Sequence, residues 1–85
     1  MTRRERLEAK AERRRLWADK RRTRAAGPFR EAERYRGDVA FNTQPGHIPA
    51  RARLNRALDR AHEDLAMATH HDRRADGLER QLSTS

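Results

Sequence analysis

Eighty-five residues carry 21 Lys/Arg against 13 Asp/Glu, a formal net charge of +8, with one Trp, one Tyr, two Phe and no cysteine. A chain of that length buries only about 60% of its unfolded surface, which excludes a large autonomous core. The absence of cysteine excludes disulfides and thiolate metal sites, and the charged N-terminal stretch has no signal-peptide core and the chain no apolar run of membrane-spanning length, so the expectation is a cytoplasmic protein.

Thr2-Arg3-Arg4-Glu5 has the form of a capping box, in which the Thr hydroxyl accepts from the amide three residues on and the Glu reaches back to the Thr amide. A helix rich in Arg, Glu, Lys, Leu and Ala then runs to Gly27-Pro28. Proline removes a backbone donor and crowds the preceding turn, so a kink is expected there before helical composition resumes at Phe29. Gly37 suits a helix C-terminus. Residues 37–48 carry the strongest turn chemistry, with Pro45-Gly46 suited to the centre of a type II turn. Pro49 fits the first turn of a second helix running to about Leu82, weakened at Gly77 and followed by a frayed Ser83-Thr84-Ser85 tail.

The expected fold is therefore all-α: one domain over 1–85, an antiparallel helical hairpin with arms at 2–36 and 49–82, coiled-coil-like along an alanine seam. Ala11, Ala18, Ala25 and Ala32 recur every seven residues, as do Leu54, Ala61, Ala68, Ala75 and Leu82. Folding at the turn opposes Ala11 to Ala75, Ala18 to Ala68, Ala25 to Ala61 and Ala32 to Leu54. Alanine facing alanine lets the axes approach toward the short end of the usual 8 to 10 Å or so. The same register sets Arg14 opposite Asp72 as a seam ion pair that fixes alignment more than it stabilises.

Charge is uneven along the chain. Residues 1–36 hold fourteen Lys/Arg against six Asp/Glu, whereas 37–85 hold seven of each. Arg6, Lys10, Arg13, Trp17, Lys20 and Arg24 form a stripe at alternating four and three spacing with no acid among them, roughly 27 Å long on a helix. Such a row tracks a phosphate backbone while Trp17 stacks on a base. The neighbouring flank, Glu8, Glu12, Arg15, Asp19 and Arg22, alternates in sign like an ordinary solvated face.

Catalysis has little to stand on: no glycine-rich phosphate loop, no cysteine nucleophile, and serine only in the tail. No enzyme activity and no cofactor are expected. His47, His62, His70 and His71 lack metal-ligand spacing, so no metal site is expected. Leu7, Leu16 and Trp17 do not form one broad apolar face, which argues against a membrane-surface helix.

Residues 1–18, MTRRERLEAKAERRRLWA, together with Gln44-Pro45, Gly46-His47 and Arg51-Ala52-Arg53, resemble an uncharacterised family of bacterial, plasmid and phage proteins known as domain of unknown function 3560. Many members of that family carry extra residues between the Gln-Pro and Gly-His pairs that this chain lacks. The resemblance implies a phage or mobile-element origin and a role for Gln44, Pro45, Gly46 and His47 beyond the turn. It carries no activity over to any residue. The functional expectation is a small basic binding protein, dimerising into a four-helix arrangement, that contacts DNA or RNA through the phosphate backbone. The alternative is a module docking an acidic protein surface, with Trp17, Phe29, Tyr35 and Phe41 as anchors.

Overall fold

A computed structural model describes residues 1–84. Two long helices, α1 (Arg3–Arg34) and α3 (Ile48–Thr84), pack side by side and are joined through a short helix α2 (Val39–Thr43) and one 3-10 turn (Pro45–His47). The all-α hairpin is the observed fold, a rod of 61 × 19 × 14 Å with no strand among the described residues.

Thr2 caps α1: its hydroxyl accepts from the Glu5 amide at 3.1 Å and donates to Glu5 Oε1 at 3.2 Å. The glutamate thus closes on the hydroxyl instead of the Thr2 amide. Gly27-Pro28 does not divide the arm, because α1 is continuous through Pro28 to Arg34. A proline interior to a helix forfeits one amide donor, and strong helix formers on both sides carry the ladder past it. Gly37, at φ 79° the sole described residue with positive φ, turns the chain out of α1 after the Tyr35 and Arg36 amides close back on Ala32 and Glu33.

The connection corrects the turn expectation. Gly46 does not take the positive φ that a type II turn requires, and Pro45-Gly46-His47 form a 3-10 turn instead. Tertiary contacts override the local Pro-Gly preference. Asp38 caps α2 by accepting from the Phe41 amide at 3.0 Å, which carries the Phe41 ring into contact with Tyr35, stacked at 3.8 Å and 14°. Arg51 of α3 then donates to the Phe41 and Gln44 carbonyls at 2.7 and 3.2 Å, fastening the connection to the second arm. Phe41 is buried, and His47 lies 5.7 Å from its ring.

The seam follows the alanine heptads. Ala11, Ala18, Ala25, Ala61, Ala68 and Ala75 are buried, none more than 6% exposed, with Leu7 and Leu54 extending the line. Among the described residues no large side chain is fully buried, so the arms cohere by close backbone approach and not by bulk. The second heptad position is mixed: Leu7, Arg14, Arg21 and Pro28 on α1 with Tyr35 just past its end, and Ala50, Ala57, Asp64, His71 and Leu78 on α3. Its central layers are polar, with Asp64 and His71 both buried. At the far end α3 continues through Ser83 and Thr84, whose hydroxyls donate to the Glu79 and Arg80 carbonyls at 3.1 and 3.3 Å, so the helix outruns its expected end at Leu82. Ser85 lies outside the described residues.

Candidate nucleic-acid interface

The predicted Arg14–Asp72 pair does not form. Arg14 Nη1 instead meets His71 Nδ1 at 3.1 Å, while Asp72 is taken by Arg15 at 3.0 Å and by Arg22. The cause is geometric. In antiparallel helices the alanine layers alternate with layers of the other heptad position, and the second set is offset by one residue. Position 14 therefore faces 71, and position 21 faces 64: Arg21 Nη1 donates to Asp64 Oδ1 at 2.8 Å. Asp72, one residue further on, falls on the outer flank.

An arginine has no acceptor, so its bond to Nδ1 requires a neutral His71 that carries its proton on Nε2. Burial lowers the His71 pKa from its ordinary 6.5, and the charges of Arg14, then His70 and Arg21, push the same way. Trp17 completes the cluster: its ring is 5.4 Å from the His71 ring at 59°, and the Arg14 guanidinium carbon stands 5.4 Å from the indole centre, within cation–π reach. Arg14 is thus held by two uncharged partners and keeps its positive charge uncompensated.

Arg14 and Trp17 of this cluster line a groove of about 520 Å³ between the arms, with His71 buried behind them. Its walls are Lys10, Arg13, Arg14 and Trp17 on α1 and Arg73, Arg74, Gly77, Leu78, Arg80 and Gln81 on α3. Six of these ten side chains are cationic and none is acidic. Among the described residues, Lys10, Arg13, Arg73, Arg74 and Arg80 make no ion pair. Trp17 is 39% exposed.

Of the predicted stripe, Lys10, Arg13 and Trp17 come together in the groove. Arg6 and Lys20 are exposed outside it, and Arg24 points away to stand 3.6 Å from Asp64, so the stripe is neutralised at that end by an acid from the other arm. Sequence reasoning missed Arg73, Arg74 and Arg80. They sit in the half of the chain whose charges balance, and a count along sequence averages over faces that the fold separates. Heptad position carries the signal: Arg74 precedes Ala75 in the seam just as Trp17 precedes Ala18.

The opposite cleft holds the acids. Arg15 spans two turns of α3, bonding Asp72, Asp76 at 2.7 Å and Glu79 at 3.0 Å, and these last two acids raise its pKa. Arg22 joins Asp72 to Asp19 at 2.9 Å. The alternating flank of α1 is thus half of a ladder between the arms.

The remaining aromatic and turn residues are engaged within the chain. Phe29 meets His62 edge-on at 5.1 Å, Tyr35 and Phe41 stack on each other, and the Gln44 carbonyl accepts from His47 and Arg51. Phe41 is therefore a packing residue and not an exposed anchor. No described helix is long and apolar enough to cross a membrane. No family model, curated protein or solved structure matches this chain.

Proposed function

We propose that the protein is a non-enzymatic binding protein that contacts DNA or RNA through the phosphate backbone, without strong sequence specificity. The observation that carries this reading is the groove around Trp17, in which six cations from two helices converge with no acid to neutralise them. Lysine and arginine confined in a cleft between low-dielectric walls raise the local concentration of a polyanion. Phosphate contacts of this kind fix position without reading base identity. A homodimer belongs to the same reading, supported by Leu16, Leu65 and Met67, which stand exposed on the outer surface.

The test is titration of fluorescent DNA and RNA at several salt concentrations. Affinity should fall steeply with salt, the slope of log affinity against log salt being about 0.9 per phosphate neutralised on a duplex. Binding that ignores salt, or that survives Lys10→Glu with Arg13→Glu, sinks the reading. Sizing of the free protein checks the dimer.

A further inference from the structure

We infer that the nucleic acid taken by this groove is single-stranded, with one unstacked base lying on Trp17 and the flanking phosphates held by the cations of the two walls. The inference rests on the proposed nucleic-acid reading and sharpens it.

Three features of the groove separate a single strand from a duplex. First, the cations stand on both walls, Lys10 and Arg13 beside Trp17 on one and Arg73, Arg74 and Arg80 on the other. A strand threaded along the cleft meets both walls and the ring at once. Second, the rod is only 19 × 14 Å in cross-section, so the furrow between its arms cannot enclose a duplex. Third, more than a third of Trp17 is open, although Arg14 and His71 already pack against it. Phosphates alone need no aromatic, whereas a base gains by stacking on one whatever its identity. A duplex keeps its bases stacked and must unstack a step to offer one.

Gly77 lines the same groove, where a Cβ would make only ordinary contact with Arg80 Nη2 at 3.7 Å. The space of about 520 Å³ is small for a macromolecule but ample for a base with its sugar and phosphate.

Trp17 is the single tryptophan of the chain, so its intrinsic emission reports on the groove alone. The experiment compares an oligothymidylate of about ten nucleotides, a GC-rich blunt duplex long enough to stay paired and compared per phosphate, and heparin as a base-free polyanion, each followed by Trp emission and by competition against a labelled oligonucleotide. The single strand should quench Trp17 and bind about tenfold tighter than the duplex, while heparin binds without quenching. Trp17→Leu should lose about tenfold on the oligothymidylate and little on heparin, and Trp17→Phe should restore most of the loss. Equal affinity for strand and duplex with unchanged emission overturns the inference and leaves the phosphate-binding reading standing. Salt-dependent binding of none of the three probes overturns both. Quenching is measured on the wild-type protein, so the comparison of strand, duplex and heparin stands even where a variant fails to fold.

Discussion

The two clefts that run between the arms both draw arginines from α1, and they end in different electrostatic states. On one side Arg15 and Arg22 of α1 meet Asp72, Asp76 and Glu79 of α3, and the charges close on each other. On the other, Lys10, Arg13 and Arg14 face Arg73, Arg74 and Arg80, and nothing closes. Self-repulsion in the open cleft opposes association of the arms, while the ladder in the closed cleft favours it. Exposed ion pairs contribute little individually, so the closed cleft sets alignment more than stability, and it does so by consuming the acids that would otherwise quench the open one. The segregation teaches that net charge describes the two clefts poorly: six cations stand in one with no acid, while Asp72, Asp76 and Glu79 of α3 are paired in the other.

Reversing charge in each cleft separately tests that difference most directly. Arg73→Glu with Arg74→Glu should weaken nucleic-acid binding on the order of a hundredfold at low salt and reduce the salt slope by about one per cation lost, whereas Arg15→Glu with Arg22→Glu should leave the open cleft's salt slope in place. If both pairs weaken binding equally, the clefts are not functionally distinct. Asp64→Ala probes the layer between them. It strips Arg21 of a carboxylate that is only 5% exposed, and because Arg21 itself reaches solvent, the cost should be about 2 kcal/mol in urea unfolding, below that of a fully buried pair.

Gly27→Ala serves as the control remote from both clefts. Beyond its chain neighbours a Cβ there meets no atom within 4 Å, but the ring of Pro28 crowds the Cβ of a helical residue before it, so the gain should fall below the about 1 kcal/mol of an ordinary glycine-to-alanine exchange, seen as a small rise in Tm with binding unchanged. A smaller effect is expected from pH. His71 is held neutral in the folded chain with its pKa below the ordinary 6.5, so the unfolded chain takes up a proton first as pH falls. Stability should decline from about pH 6.5 down to the folded-state value and level off below it, and His71→Leu should flatten that decline in a pH series of thermal melts. The smallest effect belongs to Arg15→Ala, a slight lowering of Tm that fades in about 0.5 M salt as screening removes what the ladder contributes.

The hairpin and its alanine register are legible in the sequence because seven-residue spacing is a property of the chain itself, and because Thr2, Gly37 and Pro49 punctuate it locally. Partners across the seam are not. Extending the alanine register to every layer matches Arg14 to Asp72, but alternate layers of antiparallel helices interleave, and a shift of one residue exchanges an ion pair for an arginine–histidine contact. The connection departs from expectation for a different reason: Pro45-Gly46 is turn-forming in isolation, while Phe41 packed on Tyr35 and Arg51 bonded to two carbonyls decide its backbone from a distance. Half of the candidate site is visible as the stripe through Lys10, Arg13 and Trp17. Its other wall appears only when α3 is laid alongside.

Because the two walls belong to different helices, the groove is tied to the folding of the hairpin. It lies toward the end where the arms are free of the connection. The site exists only while the arms are paired, and on the proposed reading a chain of phosphates bound across it would be a strap over the end that no covalent link closes. Occupancy and folding would then be one linked equilibrium: ligand at a hundred times its Kd adds about 2.7 kcal/mol to the paired state. On that reading a rod whose seam is mostly methyl groups would gain a second source of cohesion, supplied from outside and withdrawn when the ligand leaves.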